Sequence, residues 1–305
     1  MALNIGQATP VSRQNSIMAE LVEPLALQAI YSVPSTNPLF EVFERESVDA
    51  GAEVEEILLG DANIETYDAE GKTTLKPRDV KAIARYYNDY EHPVYTTTVY
   101  RNEIRKVALN PENATSLAAT IVAQLTATRD DDLYAKEKKV LKDMSTNYAG
   151  LKAGTITAGT KAAMGEQLTE MIRNTIDAFT FKNDQYLLHN VNHPENKIKG
   201  KAYFDRIRII IPYKVKNAID VGYLANVYNL EKTDLLSKMV TIDTDDGIVY
   251  VIDKMSVFRY PQTDELLGQD NGEGAFRNEF LHVNQMIGAS TLFKFAFIDA
   301  SNVVA

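Results

Sequence analysis

Residues 110–147, NPENATSLAATIVAQLTATRDDDLYAKEKKVLKDMSTN, carry the strongest local signal in the chain. Asn110 is a capping residue, Pro111 suits the first helical position, and Glu112 places an acid near the positive end of the helix dipole. Leu117, Ile121, Val122 and Leu125 then recur at helical spacing, and Leu133, Tyr134, Val140 and Leu141 extend the pattern. The spacing predicts one helix running to about Asn147, ended by Gly150 and Gly154. At 1.5 Å per residue it is about 50 Å long, a length more usual in struts than in compact enzymes. Asp130 to Asp132, beside Lys136, Lys138 and Lys139, are expected to form a solvated face with i,i+4 pairs rather than an acid/base dyad.

Outward from this helix, residues 1–14 are polar and aperiodic and read as an arm. Ile17 to Ile30 is apolar but broken by Pro24. Phe40 and Val42 alternate and suggest a strand. Residues 46–80 are acidic and hold short apolar runs, among them Val54, Ile57 and Leu59, then Ile64 and Tyr67. They suit a two-stranded excursion, with 80–100 as the returning strands. So long an excursion with so little apolar content implies a partner. On the C-terminal side, a Gly/Thr-rich connection (150–160) leads to a second helix over 162–179, then a polar loop over 182–205. Strands follow at Ile207–Ile211, Val240–Ile242, Ile248–Ile252 and Phe258–Tyr260, with helical stretches after Pro212 and over 232–238. Leu266 to Gly274 reads as a loop, and Phe280–Met286 and Leu292–Ile298 as the last strands. There are no internal repeats.

Composition narrows the chemistry. The chain has 305 residues, 32 Lys+Arg against 42 Asp+Glu (net −10), no Cys and four His. The negative balance argues against a general polyanion binder, and the absence of Cys removes disulfides, thiolate catalysis and Cys-based metal sites. No apolar run approaches the roughly 20 residues of a membrane helix, and no signal peptide is visible, so a cytosolic, cofactor-free protein is expected. Charge is blocked. Residues 44–72 hold ten acids and two bases (2 − 10 = −8), residues 73–110 seven bases and four acids, and residues 182–208 six bases and three acids. Such blocks suit a chain that meets copies of itself, or plain solvated faces.

Motifs for catalysis are missing. His189 and His193 are four apart, but Pro194 and the neighbouring Asn residues argue against a helix there, and a solvent loop is preferred to a metal site. Asp243, Asp245, Asp246 and Gly247 resemble part of a calcium loop without its length or terminal Glu, so a β-turn is expected. Gly268, Gly272 and Gly274 do not sit in a strand–helix phosphate cradle. Tyr86, Tyr87, Tyr90, Tyr95 and Tyr100 read as strand packing or a protein interface.

The order of elements (arm, two-stranded loop, strut helix, α/β domain, closing strands) resembles the major capsid protein fold of tailed bacteriophages, the Hong Kong 97 type, an α+β architecture. Asn37-Pro38-Leu39-Phe40, Glu55-Glu56-Ile57, Val80-Lys81 and Tyr95–Thr98 resemble the major head protein of small short-tailed Bacillus phages (salasmavirus-like). So do Leu224-Ala225, Asn229, Thr233-Asp234, Val240–Asp243, Phe280, His282 and Phe295-Ala296-Phe297.

The resemblance implies an N-terminal arm (1–46), an extended loop over a neighbouring subunit (47–80), and a peripheral domain with the spine helix (81–150). It further implies an axial domain (155–255) and return strands (256–305). Implied inter-subunit contacts are Glu53, Glu55, Glu56, Asp61 and Lys72 on the extended loop, and Gln269, Asp270, Asn271 and Glu273 near a three-fold axis. Lys72 and Asn271 have the residue types of the crosslink found in some phage shells, and are expected to stay uncrosslinked. The implied function is a virion shell of hexamers and pentamers, assembled in the host cytoplasm around double-stranded DNA without sequence-specific binding. A separate scaffolding protein and a portal would be partners. With the sequence ending at Ala305, neither a C-terminal immunoglobulin-like domain nor a fused scaffolding domain is expected. No enzyme activity, metal, cofactor or membrane is implied. The alternatives are an encapsulin-like nanocompartment, disfavoured by Pro24 in its cargo-binding segment, and an α/β ligand-binding protein or enzyme.

Overall fold

The computed structural model describes residues 35–49, 51–60, 62, 82–100, 111–217 and 237–304, with only the backbone of 111–118. Helices and strands are mixed, as an α+β chain requires. The chain divides into two compact units. One draws its described residues from 35–37, 91–135 and 261–285, the other from 38–90, 136–260 and 286–304.

The larger unit is built on a five-stranded sheet. Its strands are β4 (Lys152–Thr155), β5 (Ile207–Pro212), β6 (Met239–Ile242), β7 (Ile248–Asp253) and β10 (Phe295–Asp299), in the order β4-β10-β7-β5-β6. β10 runs parallel to β4 and antiparallel to β7, while β5 is parallel to β6 and antiparallel to β7. The apolar runs of β5 and β7 are buried on both faces, as central strands between covering layers should be. Against the sheet lies α3 (Lys161–Thr180). Thr160 caps it, its hydroxyl accepting from the Ala163 amide at 3.3 Å. Met164, Leu168, Ile172, Ile176 and Phe179 recur on one side and join Ile207, Ile209, Ile211, Val249, Val251, Ala296 and Ile298 in one core. Each such side chain contributes roughly 1.5–3 kcal/mol through burial.

In the smaller unit, β3 (Val94–Tyr100) pairs antiparallel with β9 (Phe276–Ala289), from Val94 opposite His282 to Tyr100 opposite Phe276. β8 (Val257–Asn271) completes this three-stranded sheet. The strut helix is α2 (Pro111–Asn147), which belongs to this unit up to Ala135 and to the larger unit from Lys136; Ile121, Leu125, Leu133 and Leu141 are buried along it and Val122 is exposed.

Several expectations are corrected. Phe40–Phe43 is not a strand but a single helical turn, α1, with Val42 and Phe43 buried. Leu266 to Gly274 is not a loop: strand β8 runs to Asn271, and only residues 272–275 turn into β9. Residues 182–205 are not simply a polar loop, because they contain the short helix α4 (Leu188–Asn192) and bury His189. The Gly/Thr-rich connection contains β4. The 243–247 segment is no hairpin turn, since β5 separates β6 from β7. Its acids have protein partners: Asp243 with Lys138 at 2.9 Å, Asp245 with Lys214 at 2.6 Å, and Asp246 accepting from the Ile248 amide. On α2 the acids also reach partners outside the helix's own lysines. Asp130 pairs with Arg129, Asp131 accepts from Ser35 at 2.6 Å, and Asp132 accepts from Tyr95 at 2.6 Å. After Pro212 a four-residue helix is seen, α5 (Tyr213–Lys216); the helical stretches expected beyond it fall on 218–236, outside the described residues.

Candidate interaction surfaces

β1 (Val54–Leu59) and β2 (Ala82–Tyr87) form a two-stranded antiparallel ribbon, with Glu55 opposite Tyr86, Ile57 opposite Ala84, and Leu59 opposite Ala82. Successive side chains in a strand point to opposite faces, and burial follows that rule on both strands. One face is turned inward. Leu58 and Ile83 pack on Leu187, Ile198 and Leu292. Tyr87 meets Phe258 edge-on with centroids 4.8 Å apart, and Arg85 reaches His189. The opposite face, with Glu55, Ile57, Leu59, Ala82, Ala84 and Tyr86, is exposed.

The pleat therefore separates the acids of the extended loop. Glu55 faces out and accepts from the Tyr86 hydroxyl at 2.6 Å. Glu53 is exposed and accepts from the Asn88 amide nitrogen at 3.3 Å. Glu56 faces in, accepting from the hydroxyls of Ser290 and Tyr87 (3.1 Å for Tyr87). Burial raises its pKa above the usual carboxylate value, against the lowering effects of Ser290, Tyr87 and Arg45. Glu56 thus holds the ribbon to its own chain. Arg45, close by, donates to the carbonyls of Lys254 and Val257 and fastens the segment after α1 to the start of β8. Asp61 and Lys72 lie outside the described residues, so the crosslink expectation has no geometry here.

Gln269, Asp270, Asn271 and Glu273 come together at the tip of the β8–β9 hairpin, where residues 263–275 are all exposed. Two of them serve the tip itself. The Asn271 side-chain oxygen accepts from the Gly274 amide at 2.8 Å, closing the turn, and Asp270 lies 3.5 Å from Arg277. Gln269 and Glu273 remain as outward polar groups. Gly268 lets the Arg277 guanidinium lie across the strand, since a Cβ there would stand 2.2 Å from its Nη2.

The His pair is not in a solvent loop. His189 is buried, and its ring lies 4.9 Å from that of His193. Among the described residues no group of three or more His, Cys, Asp or Glu side chains is placed to hold a metal ion. Sequence reasoning missed the exposed apolar face of the ribbon. The run Glu55-Glu56-Ile57-Leu58-Leu59 puts an acid and an apolar residue on each face of the strand, so the sequence pattern does not say which face is outward.

A family model for the Phi29-like phage major capsid protein matches residues 4–298. The chain belongs to this family. The major capsid protein of Bacillus phage GA-1 is 22% identical over 304 residues, covering 97% of this chain and 63% of that protein. That of Bacillus phage PZA is 21% identical over 284 residues, covering 91% of this chain and 62% of that protein. The chain therefore spans less than two thirds of the length of these relatives. Among solved structures, the capsid of Staphylococcus phage Andhra superposes with a TM-score of 0.73 at 14% identity, covering 91% of this chain and 88% of that one. The mature capsid of bacteriophage PhiM1 gives 0.55 at 8% identity, covering 91% and 90%. The fold is the Hong Kong 97-type capsid fold expected from the element order. Nothing among these relatives favours the nanocompartment or the ligand-binding alternative.

Proposed function

We propose that this chain is the shell-building subunit of a tailed-phage head, self-assembling into hexamers and pentamers that close an icosahedral container around double-stranded DNA. The family match over residues 4–298 carries this reading. The surface supports it: a ribbon with an apolar outer face and a long exposed hairpin are elements that gain stability from a neighbour. In this reading Glu53, Glu55, Ile57 and Leu59 meet an adjacent subunit, and Gln269 and Glu273 meet copies near a three-fold axis. The arm, extended loop, peripheral domain and axial domain keep the boundaries given above. The subunit's role is mechanical, its place is the virion after assembly in the host cytoplasm, and a scaffolding protein and a portal are its assembly partners. The net charge of −10 suits an inner wall that does not trap packaged DNA.

Negative-stain electron microscopy and sedimentation of the purified chain at rising concentration, with and without a crowding agent, test this. Closed shells or capsomer-sized rings are expected. A chain that stays monomeric throughout would defeat the proposal.

A further inference from the structure

Among the described residues the five most exposed large hydrophobic side chains are Phe181 (70%), Leu59 (69%), Tyr203 (63%), Tyr86 (62%) and Ile57 (58%). They fall on two surfaces. Leu59, Tyr86 and Ile57 lie on the outer face of the β1–β2 ribbon, beside Glu53 and Glu55. Phe181 and Tyr203 lie at the two ends of the 181–203 loop, which exposes Lys182, Lys199 and Lys201. The loop's two arms are held side by side. Asn183 and Gly200 exchange backbone hydrogen bonds (3.2 and 2.9 Å), and the Ala202 amide donates to the Phe179 carbonyl at 2.8 Å. Lys201 Nζ and the Arg206 guanidinium lie 5.5 and 5.4 Å from the centre of the Tyr203 ring, so the ring is set among cations. One surface is apolar and acidic, the other aromatic and basic.

The two cannot meet within one chain. The ribbon's inner face already rests on the same loop, through Leu58 and Ile83 on Leu187 and Ile198. The pleat turns Ile57 and Leu59 the opposite way from Leu58. We propose that the outer face of the β1–β2 ribbon of one copy docks on the 181–203 loop of a second copy of this chain, Ile57, Leu59 and Tyr86 covering Phe181 and Tyr203 while Glu53 and Glu55 face Lys199 and Lys201. The contact rests on the shell-building reading above and names the receiving surface within it. Because donor and acceptor are different patches, the contact is head-to-tail and propagates from copy to copy, which closes rings rather than pairs. The loop fits a ribbon better than a nucleic acid. Asp184, Glu195 and Asp205 are exposed among its lysines, and Asp184 lies 3.3 Å from Lys197, so it offers no continuous cationic track for phosphates.

Two charge-reversed variants test this: Glu53→Lys with Glu55→Lys on the ribbon, and Lys199→Glu with Lys201→Glu on the loop. All four positions are exposed, so circular dichroism and melting should match the wild type. Sedimentation and light scattering then read the concentration at half-assembly. Each variant alone should need about tenfold more protein. An equimolar mixture should recover six-membered rings near the wild-type concentration, since alternating the two variants puts each reversed ribbon on a reversed loop, whereas a five-membered ring must keep one mismatched contact. A mixture as defective as its components overturns the pairing, as does wild-type assembly by either variant alone. A loop variant that assembles normally but loses retention of a short DNA duplex makes the loop a nucleic-acid surface and also overturns it. If wild-type shells form while the mixture fails, only this contact is wrong; if the wild type never assembles, the shell reading falls as well. Should a reversed variant misfold, Ile57→Gln and Tyr203→Gln replace the pair. Unchanged half-assembly in both then counts against the contact.

Discussion

Arg85 Nη2 donates a hydrogen bond to Nδ1 of His189 across 3.1 Å. An accepting Nδ1 means a neutral ring with its proton on Nε2, and Nε2 in turn donates to the Asn196 carbonyl at 3.1 Å. The inner face of the ribbon is therefore latched to α4 through an imidazole that must stay uncharged. Burial holds the His189 pKa below its ordinary 6.5, Arg85 and His193 push the same way, and the Asn196 carbonyl and Glu195 push against them.

A folded pKa below the unfolded value gives a contribution that is complete above pH 6.5 and is lost as pH falls from there through the folded pKa. Melting temperature should decline as pH is lowered from 6.5 to 5. His189→Gln, which keeps one acceptor and one donor, should show a shallower decline. Hydrogen exchange over Ala82–Tyr87 should quicken in acid in the wild type. Identical acid slopes for the two proteins would show that the latch does not titrate.

Leu125 is buried on the α2 stripe with Ile121 and Leu133. Leu125→Asp places an unpaired carboxylate there, at a cost of roughly 3–5 kcal/mol. The variant is expected to be insoluble or to melt far below the wild type. Normal yield and melting would mean that this stripe does not face a core.

Gly247 has φ +65°, and a Cβ there would stand 2.7 Å from the backbone Cα of Ser301. The Ala300 amide donates to the Gly247 carbonyl at 2.9 Å, so neither segment gives way freely. Gly247→Ala should lose about 2 kcal/mol or more by denaturant titration. A loss below about 0.5 kcal/mol, the scale of an ordinary surface change, would show that the segment after β10 shifts at little cost.

Lys294 is buried, with Nζ donating to the Asn183 side chain at 2.6 Å and the Gln185 carbonyl at 2.9 Å. Burial lowers its pKa from 10.5 to about 8. The unfolded chain therefore holds this proton more tightly, and Lys294 makes stability rise with pH between about 8 and 10.5. Lys294→Met should remove that rise. Urea titrations of both proteins at pH 8 and pH 10 read it as the difference between them, and an equal change in both would refute the assignment.

The parts legible without coordinates are those fixed by neighbours in sequence. The strut helix announced itself through Asn110-Pro111-Glu112 and the Ile121, Leu125, Leu133 and Leu141 spacing, and α3 through Met164, Leu168, Ile172 and Ile176. The runs of β5 and β7 are apolar enough to be strands in any context. Their order along the chain was sufficient for the capsid resemblance. The outer half of β8 was not legible: Thr263 to Asn271 is exposed throughout and polar apart from Leu266 and Leu267, and only pairing with β9 makes it a strand. Nor was α1, a single turn defined by the burial of Val42 and Phe43, nor the sheet order that inserts β5 between β6 and β7.

The extended-loop acids mark the division most sharply. The sequence alone determined that Val54, Ile57 and Leu59 form a short strand-like run in an acidic segment, and that this segment has too little apolar content to form a core of its own. Tertiary structure alone decided that Glu56 and Leu58 turn inward to Ser290 and Leu187 while Glu55, Ile57 and Leu59 face out. A strand's two faces are equivalent in local geometry, so a one-residue slip would exchange every side chain between them. The choice is made by contacts more than a hundred residues away in sequence, which alternation cannot encode.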